Sequence, residues 1–229
     1  MKKIIITLLL SCAVQIIVAQ QQVSISETPT SEELRVAFSS AGSGAADPFI
    51  IIPEVVKKGN KAIPALEDLI FTTAGKDQKP EEVQRTALYA IMALEAIGTD
   101  TAYNVLFKTA STHSDPEVRG QSLKALAQSY YQKAQEDSVA PDKEVLHILL
   151  ISVEDTTQTQ YQNSSIAQIA RDGIQNWLGQ KAGEEINCSR ADTVDVSLTR
   201  RNDFRKMQWQ NMSEKLQWNR VNGLFEIKE

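Results

Sequence analysis

The feature that most constrains this chain is a repeated pair of amphipathic helical segments between residues 47 and 179. A Gly59-Asn60 turn precedes the first helix of one pair, and a Gly98-Thr99 turn precedes the first helix of the next, about 40 residues later. A single helical pair cannot bury its own apolar face, so pairs repeated at 35–50 residues are expected to stack side by side around a shared core.

The second helices of the pairs share one side-chain pattern. A small residue stands just before a large aliphatic one in every copy: Ala87-Leu88, Ser122-Leu123 and Gly173-Ile174. The second copy lies 35 residues after the first, and the third lies 51 residues after the second. We expect the small residues to mark positions where neighbouring helices approach closely, with the aliphatic side chains filling the layer between pairs.

Start and stop signals predict where the helices lie. Asp115-Pro116 is the strongest start, because aspartate caps free amides and proline fits the first turn. Apolar spacing predicts that the remaining helices run from about 61 to 73, from 79–82 to Gly98, from 101 to 112, from 141 to 153 and from 166 to Gly179.

The segments KAIPALEDLI, EEVQRTALYAIMALEAIG and DPEVRGQSLKALAQSYY resemble HEAT repeats, in particular the short bacterial repeats of the phycobilisome-lyase type. The resemblance covers residues 50–180, about three repeats, and places the repeat domain at 47–180. It implies an all-α fold: a right-handed α-α superhelix (an armadillo/HEAT-like solenoid) of about three helical hairpins with a C-terminal extension. The third copy departs from the pattern at Ser164-Ser165-Ile166. An irregular helical bundle is the alternative.

The first nineteen residues, MKKIIITLLLSCAVQIIVA, have the pattern of a secretory signal. Lys2 and Lys3 form a basic start, an apolar stretch follows, and Ala19 suits cleavage. We therefore expect a bacterial protein exported to the periplasm or secreted. Two alternatives remain open: a retained anchor helix, and lipoprotein processing with anchoring at Cys12.

Charge and cysteine content narrow the function classes. The chain has 24 basic and 29 acidic residues, and removal of the leader would make the net charge about −7. This balance argues against nucleic-acid binding, which needs a basic face. Loss of Cys12 with the leader would leave Cys188 without a disulfide partner, so stability must come from an apolar core. We expect Cys188 to be a spectator thiol.

The segments flanking the repeats are predicted to differ from them. Residues 20–46 are polar and small, which predicts a linker holding a short helix from Ser31 to Phe38. Within the segment 181–229, polar and apolar residues alternate over 191–199, which predicts a strand. Asp203 is placed to cap a following helix. We expect this tail to cap the last repeat, with docking to a partner or a membrane surface as the alternative.

No catalytic constellation stands out in the sequence. His113 and His147 lie apart and lack the His-Glu pairs of HEAT-type metal enzymes, so His113 is expected to be solvated and His147 to lie at the core edge. No nucleophile elbow or phosphate loop occurs, and the adjacent glutamates lie mostly at helix starts. The sequence thus predicts a non-enzyme with no cofactor and no metal.

What remains is an interaction surface. The side chains predicted to contact a protein partner are Gln84, Arg85, Arg119, Lys124 and Arg171 on the second helices, together with Trp209 and Trp218 in the tail. Arg119 has a competing role, because an equivalent basic residue in HEAT-like repeats pairs with an acidic neighbour. We therefore predict an exported, non-catalytic scaffold or adaptor of the bacterial envelope. The alternatives are a lyase-like or cofactor-handling protein, and a membrane-associated stabilising subunit with peripheral contact through the tail.

Overall fold

Ten helices and two short strand pairs make up the described chain in the computed structural model, which describes residues 24–42, 47–72, 79–137, 139–160, 163–183 and 198–228. The predicted signal segment, Cys12, Cys188 and positions 191–197 of the predicted strand lie outside these residues. The predominance of helix confirms the all-α class. None of the helices in the described ranges has both the length and the apolar character needed to cross a bilayer.

The helices are α1 Ser31–Gly42, α2 Pro48–Val56, α3 Ile63–Phe71, α4 Pro80–Ile97, α5 Asp100–Thr112, α6 Pro116–Ala125, α7 Tyr131–Asp137, α8 Glu144–Ser152, α9 Ile166–Leu178 and α10 Leu198–Ser213. A π-helical segment, Leu126–Tyr130, joins α6 to α7. The antiparallel strand pairs are β1 Gln158–Thr159 with β2 Ser164–Ser165, and β3 Leu216–Asn219 with β4 Leu224–Ile227.

The helix termini form where the sequence places capping residues. The Asp115 carboxylate accepts hydrogen bonds from the amides of Glu117 and Val118, which satisfies free donors at the start of α6. The hydroxyls of Thr99 and Ser165 cap α5 and α9 in the same way. Gly98 ends α4 with a φ of +63°, a left-handed conformation that favours glycine.

Three helical hairpins, α3–α4, α5–α6 and α8–α9, pack in the order of the chain. The middle helix α6 contacts both α4 and α9, and α5 contacts both α3 and α8. Polar contacts also join consecutive hairpins: Lys108 pairs with Glu67 at 2.7 Å, and the Thr99 hydroxyl donates to Asn60 Oδ1 at 2.7 Å. Each hairpin thus completes its core against its neighbours in sequence.

The small residues of the repeated pattern lie in the buried interior of the hairpins. Ala87, Ser122 and Gly173 are all buried. A Cβ added at Gly173 would lie 2.9 Å from the Ala127 Cβ and 2.9 Å from a methyl group of Leu149. Real Cβ atoms do not approach that closely, so the crossing of α9 with its neighbours requires glycine.

The segment predicted as a linker over 20–46 instead contributes a helix to the core. Helix α1 extends to Gly42, beyond the expected end at Phe38, and packs against α2, α3 and α4. Leu34 and Phe38 are 0% and 1% exposed. Leu34, Phe38 and Ala41 recur at helical spacing, and this apolar stripe outweighs the polar composition of the segment.

The C-terminal segment covers the last helical hairpin. Helix α10 packs on α8, and β4 packs on α9. Its apolar side chains join the core of the hairpins; they are Trp209, Met212, Leu216 and Phe225. Helix α10 begins at Leu198, so Asp203 lies inside it and does not cap it, and positions 198–199 are helical and not strand.

Candidate functional site

A cleft of about 590 Å³ opens between the end of α5, one face of α8, the loop after α8 and helix α10. Clefts that bind ligands occupy about 300–1,000 Å³, so this one is large enough for a ligand or a peptide segment. The residues that line it are Ala110, Ser111, Arg119, Ile148, Ile151, Ser152, Glu154, Asp155, Thr156, Thr157, Arg201 and Lys206.

Arg119 on α6 fixes one wall of the cleft. Its Nη1 donates to the carbonyl oxygens of His113 and Ser114 at 2.9 and 2.8 Å, and its Nη2 donates to Asp155 Oδ2 at 3.0 Å. The planar guanidinium thereby ties the α5–α6 turn to the loop that follows α8. The resemblance to HEAT repeats implied that Arg119 pairs with an acidic neighbour, and in the structure Arg119 pairs with Asp155.

Asp155 is held ionised by its partners. Burial works to raise its pKa, but hydrogen bonds from the Thr157 hydroxyl and amide, together with Arg119, outweigh burial and lower the pKa. The amide of Thr157 donates to Oδ1 at 3.1 Å. The loop is therefore organised around a carboxylate that stays charged at neutral pH.

Glu154 connects the same loop to the C-terminal segment. Its Oε1 accepts a hydrogen bond from Arg205 Nε at 3.0 Å, and its Oε2 lies 3.6 Å from Arg201 Nη1. The Arg205 side chain is 1% exposed, and its Nη1 also donates to Gln208 at 3.0 Å. A guanidinium buried this completely is stabilised only by such partners, so the loop and α10 depend on each other.

The opposite wall of the cleft is cationic and open to solvent. The Arg201 side chain is 44% exposed beside Glu154. Lys206 is 62% exposed, and its carboxylate neighbour Asp203 lies at the 4.0 Å limit for an ion pair. Exposed pairs of this kind contribute at most about 1 kcal/mol, so the lysine is readily drawn to another anion.

The polar groups that line the described part of the cleft are cations, hydroxyl groups and two carboxylates. This lining contains neither histidine nor cysteine, and the Thr157 hydroxyl is hydrogen-bonded to the Asp155 carboxylate. Both carboxylates are engaged by arginines, Asp155 by Arg119 and Glu154 by Arg205. No group of three potential metal ligands occurs within the described ranges.

Most of the predicted surface residues lie elsewhere. Gln84 donates to Asp115 Oδ2 at 2.9 Å, linking α4 to the start of α6. Arg85 and Lys124 are half-buried and have interaction partners, and Arg171 lies 3.5 Å from the Val153 carbonyl oxygen. Of the predicted side chains, only Arg119 lines the described part of the cleft.

The two tail tryptophans pack within the protein. Trp209 is buried and stacks on His147, with ring centroids 5.1 Å apart and planes within 3° of parallel. Trp218 is half-buried and meets the edge of Phe225 at 5.2 Å. These contacts anchor the C-terminal segment, and they place His147 at the core edge as predicted.

His113 differs from its expected solvated position. Its Nε2 donates to the Ile70 carbonyl at 2.9 Å, and its Nδ1 accepts from the Asp115 amide at 3.1 Å. The ring is half-buried beside Phe71. The short Thr112–Asp115 turn brings the imidazole against the preceding hairpin, where it satisfies a backbone carbonyl at the end of α3.

Sequence reasoning did not identify Glu154, Arg201, Arg205 or Lys206 as site residues. The basic run 200–206 in an acidic chain was the available signal. The same run is also typical of a solvated helix face. Its carboxylate partner, Glu154, lies about 50 residues earlier in an irregular loop, so the sequence gives no sign of the pairing.

No family model, curated protein or solved structure matches this chain. The resemblance to HEAT repeats therefore stays a prediction from sequence.

Proposed function

We propose that this chain is an exported, non-catalytic helical repeat protein that binds a protein partner through the cleft between its last two hairpins and its C-terminal segment. In this proposal the three hairpins form a short right-handed superhelix of the HEAT type. The protein then acts as a scaffold or adaptor in the bacterial envelope.

The observation that carries this proposal is the composition of the cleft. Cations and hydroxyl groups surround an apolar floor at Ile148 and Ile151, while the carboxylates are already paired. Sites with this mixture recognise ligands through a few polar contacts and apolar burial. The packing of hairpins in chain order supports the repeat architecture, because interaction with sequence neighbours alone is what a solenoid requires.

The test is affinity capture from an envelope fraction of the source cells, with three forms of the purified protein as bait. The wild type is compared with a double variant, Arg201→Glu with Lys206→Glu, and with Lys57→Glu. Lys57 is the matched control, because it is 66% exposed and pairs with an acidic residue at i,i+3 on α2. Lys206 is 62% exposed and pairs with an acidic residue at the same spacing on α10.

We expect one partner to be retained in stoichiometric amount by the wild type and by Lys57→Glu, and to be lost by the double variant. Failure to retain any stoichiometric partner would refute the adaptor proposal. An absorbance scan and elemental analysis of the purified protein distinguish the cofactor-handling alternative, which requires a bound chromophore or metal.

A further inference from the structure

We infer that the cleft binds an acidic peptide segment that also carries an aliphatic side chain. This inference rests on the proposed function and specifies the chemistry of the partner. The ligand class follows from three features of the described lining: one more cation than carboxylate, an apolar floor, and two solvent-exposed cations on α10.

The surplus of positive charge arises because the described lining has more cations than carboxylates to pair with them. Three cations and two carboxylates line the described part of the cleft, and the buried Arg205 adds a second arginine to Glu154. Each carboxylate oxygen of Glu154 already faces a guanidinium. An incoming carboxylate meets Lys206, whose pair with Asp203 is at its 4.0 Å limit, beside Arg201, whose pair with Glu154 spans 3.6 Å, so neither cation has a close ion pair to give up.

The chain as a whole is acidic, with a net charge of −5, which would repel an acidic partner at long range. Screening by salt decides whether this long-range repulsion or the attraction by the cleft cations is stronger. At physiological ionic strength charges interact strongly only within about 8 Å, so the local cations outweigh the remote anions. Repulsion elsewhere then confines an acidic segment to this cleft, which contributes to specificity.

The floor specifies the second part of the ligand. The apolar side chains of the described lining, which form the floor, are the buried Ile148 and Ala110 and the half-buried Ile151. An aliphatic side chain that packs there removes apolar surface from water, which favours binding. A free inorganic anion cannot use this floor, whereas a peptide presents carboxylates and an aliphatic group together.

A membrane surface fits the same residues less well. Peripheral membrane binding requires exposed aromatic or aliphatic side chains beside several basic ones. In the C-terminal segment Trp209 is buried, and the exposed apolar side chains Met207, Val221 and Ile227 are not part of the described cleft lining. The carboxylates of Glu154 and Asp155 do belong to that lining. These carboxylates would face anionic headgroups, so a peptide is the better match.

The experiment is selection of a random twelve-residue peptide library, displayed on phage, against the purified wild-type protein, with depletion on the Lys206→Glu variant. We expect the enriched peptides to contain about twice as much Asp and Glu as the starting library, with an aliphatic residue between acidic ones. The best synthetic peptide should bind about tenfold more tightly than its Gln and Asn counterpart.

Variants then locate the site. Lys206→Glu and Ile151→Ser should each weaken binding of the selected peptide by about tenfold, while Lys57→Glu should leave it unchanged. Lys206→Glu keeps the Arg201 and Arg205 pairs with Glu154, and circular dichroism of each variant establishes that it is folded. The affinity should also fall as salt is raised, because ion pairs at the exposed wall are screened.

Three outcomes would overturn the inference: no enrichment, enrichment of peptides that are not acidic, or equal binding by wild type and Lys206→Glu. A fourth such outcome comes from sedimentation of the protein with vesicles that contain phosphatidylserine. Vesicle binding that Lys206→Glu abolishes would assign the cleft to a membrane instead. Capture of a non-acidic partner through the cleft would refute this inference while leaving the adaptor proposal intact.

Discussion

The ion pair between Arg119 and Asp155 shows what single residues determine in this protein. Arg119 secures three oxygen atoms of two chain segments, and Asp155 is the carboxylate around which the loop after α8 is organised. Removal of either partner would leave polar groups unpaired in a half-buried site. This loss lowers the free energy of unfolding by more than the intact ion pair contributes to it.

We predict that the stability contribution of Asp155 is lost in acid. Its pKa in the folded protein is lower than the ordinary value of 3.8, so the contribution is complete above that value. The contribution decreases as the pH falls through the lower, folded-state pKa. In urea unfolding at pH 7, Asp155→Asn should therefore be less stable than the wild type, and this difference should narrow progressively below pH 3.8.

The control is Asp203→Asn, because Asp203 is 67% exposed and its pair with Lys206 spans 4.0 Å. Asp203→Asn should change the free energy of unfolding little, both at pH 7 and in the acid range. A constant difference between wild type and Asp155→Asn across the acid range would contradict the prediction.

Residue roles could be predicted where the sequence carried a local signal. The caps at Asp115 and Thr99 and the burial of Ala87, Ser122 and Gly173 follow from patterns within one or two turns of helix. The partners of Arg205 and His113 lie about 40–50 residues away, so their positions depend on tertiary packing that no local pattern reveals.

At the scale of the helices, the crossing at Gly173 sets how closely α9 packs against α8 and the π-helical segment. The Trp177 indole of the same helix donates to the Ala127 carbonyl at 3.2 Å, which gives that carbonyl oxygen within the π-helical segment a partner. Close helix approach and this hydrogen bond occur together, since Ala127 takes part in both.

We predict that Gly173→Ala destabilises the protein by up to about 2 kcal/mol. Alanine improves helix propensity by about 1 kcal/mol, but overpacking in a core costs about 1–3 kcal/mol. Overpacking should prevail, because the new methyl group would meet the Ala127 Cβ, which is fixed to a helix backbone, at 2.9 Å. Thermal and urea unfolding measure the change.

The matched control is Asn176→Ala, an exposed position on the same helix α9. There alanine improves helix propensity without a clash, so stability should stay unchanged or rise slightly. Equal stability of Gly173→Ala and the wild type would show that the crossing has room to relax.

Helix boundaries were predicted well in the hairpins and poorly outside them. Pro and Gly mark α3, α4, α9 and the start of α6, which is why these limits agree with the sequence to within one or two residues. Neither residue marks the end of α6, where the helix changes at Leu126 to a π-helical segment. The start of α10 has no such marker. The polar composition around α1 obscured the apolar spacing of Leu34 and Phe38.

For the molecule as a whole, the stacked hairpins need a cover at the C-terminal end. The indole of Trp177 is 0% exposed because Phe225 stacks on it and Tyr130 and Tyr131 surround it. A chain ending after Gly183 would lose Phe225, Trp209 and the Arg205 pair with Glu154. Apolar surface on α8 and α9 would then face water.

We predict that truncation after Gly183 lowers the melting temperature and causes self-association that increases with protein concentration. Light scattering after size-exclusion chromatography, with thermal unfolding, measures both effects. A comparison with Trp209→Ala in the full chain separates the cost of one lost side chain from loss of the whole cover. A monomeric truncated protein with wild-type melting would contradict the prediction.

The overall class was predictable because helical periodicity and capping persist over most of the chain. The cleft was not predictable, because its walls come from segments far apart in sequence: the end of α5, the loop after α8, and α10.

The burial of Arg205 has a thermodynamic consequence for the cleft. Arg205 pairs with Glu154 only while α10 lies against the loop after α8. Arg201 and Lys206 of the same helix line the cleft, so the complete binding surface requires α10 to be packed in this position. Ligand binding in the cleft and packing of α10 against the loop must therefore stabilise each other by the same free energy. Any ligand of the cleft will then slow hydrogen exchange in α10, and any substitution that loosens α10 will weaken the ligand in proportion.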